Sequence, residues 1–155
     1  MWNWHLADIV STEVRRRMMS GIRSKNTKPE MIVRKGLHRL GFRFRLHDKQ
    51  LPGKPDLVFP KHDSVIFVHG CFWHGHGCHL FKWPKTRPEF WRKKIENNKL
   101  RDQRAIDALS QAGWKCLTFW ECATKNQPEE QISIELEKVK RWLLNADRNE
   151  EIPAR

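Results

Sequence analysis

The sequence predicts an α/β fold in which a mixed sheet is flanked by helices. Helix-type and strand-type stretches follow one another in the order helix, three strands, helix, strand, helix. Tight turns join the first three strands, and a long helix separates them from the fourth. No repeat, linker or low-complexity segment interrupts the 155 residues, so we expect a single domain spanning residues 1–155.

A capping box marks the start of the first long helix. Thr27 can cap the helix, Pro29 suits its first turn, and Glu30 can reach back to the cap amide. Gly41 is a natural stop for this helix. The apolar residues in between recur at helical spacing: Ile32, Val33, Leu37 and Leu40. Upstream, residues 11–22 predict a short basic helix.

Four strands are predicted from alternation and from β-type residues bounded by turns. Residues 42–46 (FRFRL) alternate strictly between apolar and basic side chains. Residues 64–68 (SVIFV) are apolar enough for a strand that is buried on both faces. The other two predicted strands are residues 56–59 (DLVF) and 114–120 (WKCLTFW), with turns at 51–55 and 60–63.

Two more helices complete the predicted fold. A second capping box, at residues 86–89, predicts the start of a long polar helix that stops at Gly113. Pro128 opens a last helix. One face of that helix carries Ile132, Leu136, Val139 and Leu143. Residues 145–155 (NADRNEEIPAR) are expected to be frayed.

The chain is strongly basic. Thirty Lys and Arg against eighteen Asp and Glu give a formal net charge of +12, and the basic residues are spread along the whole chain. Such a surplus favours nucleic-acid binding, because each neutralised phosphate releases counterions. A ribosome-associated or merely basic protein is the alternative interpretation.

The N-terminal residues lack the basic and apolar regions of a signal peptide. No stretch approaches the roughly 20 apolar residues that a membrane span needs. We therefore expect a cytoplasmic protein with reduced thiols and no membrane partner. The four cysteines are then metal ligands or core residues rather than disulfides. Cys116 lies mid-strand among apolar neighbours and is expected in the core.

Residues 68–81 (VHGCFWHGHGCHLF) combine two cysteines and four histidines in fourteen positions. Three thiolates and one imidazole would form a closed tetrahedral zinc site of the structural kind. Its candidate ligands are Cys71, His76, Cys78 and Cys122. The alternative is that Cys71 and Cys78 are simply small buried residues.

An acid and a histidine are predicted to meet at one edge of the sheet. Asp56 begins the second strand, and His69 follows the end of the third. Asp56 is a candidate Mg²⁺ ligand, since Mg²⁺ prefers oxygen ligands. A histidine near this metal could orient or deprotonate an attacking water. The alternative interpretation makes Asp56 an ordinary turn or cap residue.

Five motifs then occur together and in one order. They are LPGKPDLVF, VIFVHGCFWHGHGC, FKWPKTRPEFW, the pair Arg101-Asp102, and GWKCLTFWEC. In this combination the chain resembles the very-short-patch-repair endonucleases, bacterial enzymes that nick DNA beside a T·G mismatch left by deamination of 5-methylcytosine. The resemblance covers residues 11–123. It leaves residues 1–10 as an N-terminal arm and 124–155 as a C-terminal helix and tail of the single endonuclease domain.

The resemblance implies a restriction-endonuclease-like fold with a modified catalytic motif. The proline-aspartate of the usual motif is Pro55-Asp56, but the third strand offers Phe67, Val68 and His69 instead of an acid and a lysine. It implies that Asp56 binds Mg²⁺ through its side chain and Val68 through its backbone carbonyl.

The resemblance also assigns roles to other residues. It implies that His74 activates the attacking water and that His69 lies beside the scissile phosphate. Glu30 matches a family glutamate near the active site, although the capping box explains it without catalysis. The implied zinc ligands are those proposed from spacing: Cys71, His76, Cys78 and Cys122.

Three aromatic residues have two interpretations. The resemblance makes Phe72, Trp73 and Trp91 a wedge that enters the base stack beside the mismatch, where a wobble pair is easier to open than a matched one. The alternative is a satellite core near the metal loop. The basic residues around them are candidate phosphate contacts: Lys82, Lys85, Arg87, Arg92, Lys93 and Lys94.

The function expected from the resemblance is strand-specific nicking at T·G mismatches. The expected enzyme is a Mg²⁺-dependent, zinc-stabilised DNA endonuclease that hydrolyses the phosphodiester 5′ of the mismatched T. It would act on double-stranded DNA as a monomer in the bacterial cytoplasm, with mismatch-repair proteins as candidate partners. The alternatives are a nuclease of the same fold that cuts matched sites, and a non-catalytic zinc-stabilised DNA-binding module.

Overall fold

The computed structural model describes residues 25–154, together with Glu13 and Arg16, both of which are helical. The predicted arm 1–10 and the rest of the predicted basic helix lie outside the described residues. The helices are α1 (Lys28–Arg39), α2 (Pro88–Gln111) and α3 (Glu129–Asn145). The strands are β1 (Arg45–Leu46), β2 (Leu57–Phe59), β3 (Ser64–His69), β4 (Lys115–Trp120) and β5 (Glu150–Ile152).

Within residues 25–154, the five strands form one mixed sheet in the order β1-β2-β3-β4-β5. The pairs β1–β2 and β2–β3 are antiparallel, as expected for strands joined by tight turns. The pairs β3–β4 and β4–β5 are parallel, and α2 and α3 provide their crossovers. The predicted α/β fold with a mixed sheet flanked by helices is confirmed.

The helices cover both faces of the sheet. On one face, Leu37 of α1 and Val139 of α3 pack in one cluster with Phe119 of β4. On the other face, Leu109 of α2 packs with Val65 of β3. Period-two alternation along the strands separates these two cores. None of the helices in the described part of the chain combines the length and the apolar character needed to cross a membrane.

The strand register brings the ends of β2 and β3 to one edge of the sheet. Leu57 pairs with Ile66, so the preceding Asp56 lies against the end of β3. His69 ends β3 and pairs with Trp120, the last residue of β4. Because this edge gathers the start of β2 and the ends of β3 and β4, Asp56 and His69 line the same cleft, although they belong to separate groups of ligand-type side chains.

Two helix starts differ in their details from the prediction. The Thr27 hydroxyl accepts a hydrogen bond from the Glu30 amide (3.4 Å), but the Glu30 carboxylate accepts from the Asn26 amide (2.7 Å) rather than from the cap amide. The prediction of a capping box at residues 86–89 is wrong. The chain enters α2 through Arg87 in the left-handed region (φ +52°), and no side chain caps this helix.

The first predicted strand is shortened. Of residues 42–46, only Arg45 and Leu46 pair in the sheet. The Phe42 side chain is buried and packs edge-on against Phe59, with ring centroids 6.2 Å apart. The apolar and basic alternation of residues 42–46 therefore reflects packing of the phenylalanine side chains rather than a full ladder of backbone hydrogen bonds.

The prediction of a frayed C-terminus is wrong. Residues 150–152 form β5, which pairs with β4, and Ile152 is buried. The Asn149 side chain accepts a hydrogen bond from the Cys116 amide (2.8 Å). The Lys115 ammonium donates to the carbonyls of Trp142 (2.8 Å) and Ala146 (2.7 Å), which lie at the end of α3. These polar bonds dock a segment whose composition resembles that of a loop.

We predict that Lys115→Met destabilises the protein by about 2 kcal/mol, because the carbonyls at the end of α3 lose a charged donor. Chemical denaturation followed by circular dichroism measures the change. Lys140→Met, at a weakly paired position on α3, is the matched control and should change stability by less than about 0.5 kcal/mol. Equal stability of the two variants would contradict this role for Lys115.

Candidate functional site

A cluster of cysteine and histidine side chains lies beside the end of the sheet. Its members are Cys71, His76, Cys78 and Cys122, and their ligand atoms all lie within 4.8 Å of one another. His76 Nδ1 lies 3.6 Å from the sulfur of Cys71 and 3.6 Å from that of Cys122. None of these cysteines is in a disulfide. Three sulfurs and one imidazole nitrogen at this spacing can hold a metal ion.

Local backbone bonds shape the loop that supplies three of these side chains. The His76 amide donates to the Cys71 carbonyl (2.9 Å), which closes a tight turn. Gly75 within this turn has φ +64°, and a Cβ there would lie 2.7 Å from Ile95 Cγ2 on α2. Only glycine therefore fits between the loop and α2. Cys122 comes from the 3₁₀ turn Glu121–Ala123 that follows β4.

The electrostatics of this cluster favour a cation. Burial raises the pKa of the Cys71 thiol, and burial raises the pKa of Cys122 to about 11. Ionised thiolates here therefore need a positive partner, which a metal ion provides. The Trp120 ring stacks on the His76 ring at 4.2 Å and 7°, which fixes the plane of the imidazole.

A second group of side chains lies next to this loop. His74 Nδ1 and Asp102 Oδ2 of α2 are 2.5 Å apart. The His69 ring stacks on the His74 ring, with centroids 3.7 Å apart and planes 3° apart. Burial and, to a lesser extent, the charge of His74 lower the pKa of His69 to about 3. His69 is therefore neutral at physiological pH, and Asp102 is placed to hold His74 in one tautomer.

A third group contains Asp56 at the start of β2. Asp56 Oδ2 accepts a hydrogen bond from the Val68 amide (2.7 Å), and Oδ1 lies 4.0 Å from His47 Nε2. His47 Nε2 lies 2.5 Å from Glu30 Oε1. Desolvation and, to a lesser extent, the nearby Glu30 carboxylate raise the pKa of Asp56 to about 7, against the lowering effect of the Val68 amide. A bound cation would relieve this cost.

Glu30 has contacts both at the start of α1 and beside Asp56, although its carboxylate does not make the predicted capping-box bond to the cap amide. Its carboxylate accepts from the Asn26 amide at the start of α1, and it also lies 3.6 Å from Arg34 Nη1. The side chain is 2% exposed, and its other oxygen faces His47 in the group that contains Asp56. Glu30 thus stabilises the helix start and lies beside the candidate metal ligand.

One cleft of about 800 Å³ connects the second and third groups. Asp56, His69, His74 and Asp102 line it. Four cationic side chains line it as well: Lys25, Lys54, Arg101 and Arg104. Carboxylates among basic side chains suit a site where a metal and a polyanionic backbone meet.

The three candidate wedge residues pack against one another. Ring centroids are 5.2 Å apart for Phe72–Trp73, 5.3 Å for Phe72–Trp91 and 5.9 Å for Trp73–Trp91. All three side chains are half-buried. The cluster continues through Phe81 and Phe90. The structure places the rings together beside the metal loop, and this packing alone is compatible with both a wedge and a satellite core.

The predicted phosphate contacts all lie at the surface. The six side chains are exposed: Lys82, Lys85, Arg87, Arg92, Lys93 and Lys94. Arg87 lies over the Phe90 ring at 4.3 Å, and Arg92 lies over the Trp83 ring at 5.0 Å. Cations and exposed rings therefore alternate along the surface beside the aromatic cluster.

Sequence reasoning missed three residues of this site. His47 follows a short strand and carries no motif of its own. Asp102 belongs to the quoted Arg101-Asp102 pair, but the pair gave no indication that Asp102 contacts His74. Trp120 looked like an ordinary strand residue, although its ring lies against both His69 and His76.

We predict that the wild type binds about one zinc ion per chain, and that Cys122→Ala binds less than about half as much and has a lower Tm, because one of four candidate ligands is lost. Elemental analysis and thermal denaturation measure these changes. Cys116→Ala, at a buried cysteine outside the cluster, is the matched control and should retain zinc. Unchanged zinc content in Cys122→Ala would remove this residue from the ligand set.

We predict that Asp56→Asn stabilises the Mg²⁺-free protein at pH 8 by roughly 1–3 kcal/mol. The folded pKa of Asp56 is about 7 against an ordinary 3.8, so the wild type loses stability as pH rises between these values. Asparagine does not titrate, so its advantage should grow from pH 4 to pH 7 and then level off. Denaturation at a series of pH values measures it. Asp107→Asn, at an exposed position on α2, controls for the lost charge. A difference in the free energy of unfolding between Asp56→Asn and wild type that does not change with pH would contradict the prediction.

One family model matches about the first half of the chain. The family model described as "DNA mismatch endonuclease Vsr" matches residues 7–80. This segment contains Glu30, Asp56 and the loop with its histidines and two of its cysteines.

Named relatives extend the match over most of the chain. A "Type II nicking enzyme V.XorIIP" from Xanthomonas oryzae pv. oryzae is 54% identical, over 76% of this chain and 86% of the relative. A "Type II nicking enzyme V.NmeAIP" from Neisseria meningitidis serogroup A is 45% identical, over 79% and 87%. The DNA mismatch endonuclease Vsr of Escherichia coli is 40% identical, over 89% of this chain and 88% of the relative. The chain therefore belongs to the Vsr family of DNA mismatch endonucleases and is a DNA-hydrolysing enzyme.

Proposed function

We propose that the protein is a Mg²⁺-dependent, zinc-stabilised endonuclease that nicks one DNA strand on the 5′ side of the T in a T·G mismatch. Such mismatches arise by deamination of 5-methylcytosine, and the nick would start very short patch repair. The observation that carries the proposal is the convergence of Asp56 with the His74–Asp102 pair in one basic cleft. The nicking-enzyme names of two relatives support cleavage of a single strand.

The proposed magnesium ligands are Asp56 and the backbone carbonyl of Val68. One oxygen of the Asp56 carboxylate accepts a hydrogen bond from the Val68 amide, while the other oxygen faces His47. A bound Mg²⁺ would steady the negative charge that develops on the scissile phosphate. Valine is compatible with this role because a backbone ligand leaves the side chain free to pack in the core.

His74 is the proposed general base. Its Nδ1 is paired with Asp102, so Nε2 is the ring nitrogen that can accept a proton from the attacking water. The carboxylate also stabilises the imidazolium that forms when the proton arrives. Asp102 acts through His74 and is therefore a positioning residue.

His69 is proposed to contact the scissile phosphate as a neutral ring. Its pKa of about 3 means that it neither competes for the proton nor repels a protonated His74. The parallel stacking of the two rings fixes the direction of both. Glu30 is proposed to support this centre from behind, since it approaches Asp56 without lining the cleft.

We assign zinc to the Cys71–His76–Cys78–Cys122 cluster. Three thiolates and one imidazole are typical of structural zinc, and all four positions of a tetrahedral ion would be filled. The ion would tie the loop to the turn after β4. His74 lies two residues before His76, so the same ion would hold the proposed base in place.

The aromatic cluster is the proposed mismatch probe. Phe72, Trp73 and Trp91 would enter the stack together, and opening a weak T·G pair costs less than opening a matched pair. The Trp73 carbonyl accepts a hydrogen bond from Asn98 of α2 (2.9 Å), which braces the loop against a helix. The basic side chains around the cluster would hold the flanking phosphates.

The fold assignment follows from the same proposal. The mixed sheet, with α2 crossing between β3 and β4 and with Asp56 at the edge, fits a restriction-endonuclease-like architecture. A monomer is sufficient, because one nick requires one active centre. A bacterial cytoplasmic location and contacts with mismatch-repair proteins remain predictions from family membership.

Nicking of two duplexes that differ only at one base tests the proposal. We predict that the protein cuts the T·G duplex about 100-fold or more faster than the matched T·A duplex, on the T strand and 5′ of the T. Denaturing gel electrophoresis of end-labelled strands gives both the rate and the position. His74→Ala, purified identically, should be slower by roughly 10²–10⁴-fold and excludes a contaminating nuclease.

Each rival function gives a different result. Equal cutting of both duplexes would indicate a nuclease for matched sites. Binding of both duplexes without any cutting in the presence of Mg²⁺ would indicate a DNA-binding module. Either result would overturn the proposal.

A further inference from the structure

The third group of side chains, which contains Asp56, has more potential metal-ligand atoms than the proposed magnesium site uses. The carboxylate oxygens of Glu30 and Asp56 and the ring nitrogen of His47 lie within 4.8 Å of one another. They come from the start of α1, the turn after β1 and the residue before β2. Convergence of three separate segments on one point is typical of a ligand site.

The His47 backbone has an uncommon conformation. Its φ is +48°, in the left-handed region, where residues other than glycine are uncommon. Its amide donates to the Asp56 carbonyl (3.1 Å), and its Nε2 faces the oxygens of Glu30 and Asp56. The surrounding structure therefore holds His47 against a local conformational preference, with its ring nitrogen toward two carboxylates.

Each carboxylate has one oxygen occupied and one directed at His47. Asp56 Oδ2 is bound by the Val68 amide, and Oδ1 lies 4.0 Å from His47 Nε2. Glu30 Oε2 is bound by the Asn26 amide and lies near Arg34, whereas Oε1 faces His47. Two oxygens and one nitrogen thus point into one shared space.

We infer that His47 joins Asp56 as a ligand of the catalytic cation, with Glu30 facing the same space, and makes this site prefer a first-row transition-metal dication over Mg²⁺. The inference rests on the proposed function, because it concerns the same metal site. Mg²⁺ favours oxygen ligands, whereas a mixed set of carboxylates and imidazole suits transition metals. A neutral imidazole that binds a cation through Nε2 carries its one proton on Nδ1, so a ring with its proton on Nε2 would release it to solvent and take one up at Nδ1.

Mn²⁺ is the probe that tests this inference, because its electron spin detects directly bound nitrogen. The experiment uses the full chain with its zinc retained, so that the thiolates are already occupied. Pulsed electron paramagnetic resonance should show coupling of Mn²⁺ to a histidine nitrogen. Loss of the free Mn²⁺ signal gives the Mn²⁺ affinity, and competition with Mg²⁺ gives the Mg²⁺ affinity.

His47→Asn is the main variant, since asparagine tolerates the left-handed backbone. We expect it to lose the nitrogen coupling and to bind Mn²⁺ about tenfold more weakly, while its Mg²⁺ affinity changes less than about threefold. His38→Gln, at an exposed position on α1, should behave as wild type. Circular dichroism checks folding, and His47→Gln replaces the main variant if that one unfolds.

Two results would overturn the inference: no nitrogen coupling in the wild type, or the same coupling and Mn²⁺ affinity after His47 is replaced. The nicking assay separates this failure from that of the proposed function. Preferential T·G nicking without nitrogen coupling would leave the function standing and remove His47 from the ligands. Nitrogen coupling that depends on His47, without T·G-preferring nicking, would retain the metal site and reject the function.

Discussion

The clustering of Cys71, His76, Cys78 and Cys122 is the constraint on which the rest of the site depends. The glycines of this loop give it conformational freedom, which the packing of Cys71, Phe72 and Trp73 must overcome. In the structure this loop is held by backbone turns and by contact with α2, and its side chains converge with Cys122 on one candidate metal site. His74 lies inside the same loop, and its neighbour Trp73 begins the aromatic cluster. A proposed base and a proposed mismatch probe therefore share one anchor. If the anchor loosened, both functions would be lost together, which couples recognition of the substrate to its hydrolysis.

The second organising feature is unfavourable charge at the sheet edge. Glu30 and Asp56 lie close together, so burial of Asp56 and, to a lesser extent, repulsion from the Glu30 carboxylate oppose the ionisation of Asp56. The fold maintains this arrangement through Val68, whose amide holds Asp56, and through the amide that holds Glu30. A site of this kind is less stable without a cation than with one, which is a common relation between stability and function in metal-dependent enzymes. The basic residues that line the cleft offset part of this charge and would draw the phosphate backbone toward the metal.

Much of this arrangement was predictable from the sequence, for reasons that are local. A tight turn between β2 and β3 forces antiparallel pairing, so the start of one strand meets the end of the other, and Asp56 had to lie near His69. The clustering of cysteine and histidine in one loop likewise predicted the ligand group. His47 was not predictable, because its position depends on a left-handed backbone that only tertiary contacts maintain. The docking of β5 was missed because a short polar strand at the edge of a sheet has the composition of a loop. The resemblance contributed what spacing could not, namely the proposed role of His74 and the interpretation of the rings as a wedge.

Hydrogen exchange measured with and without zinc tests most directly whether the ligand cluster holds the site together. In zinc-loaded protein, we expect the amides of residues 70–80 to exchange slowly. After removal of zinc with a chelator, they should exchange about 100-fold or more faster, while the amides of β3 and β4 change less than about threefold. Equal protection of residues 70–80 in both forms would show that the loop keeps its shape without the ion, and would contradict the account.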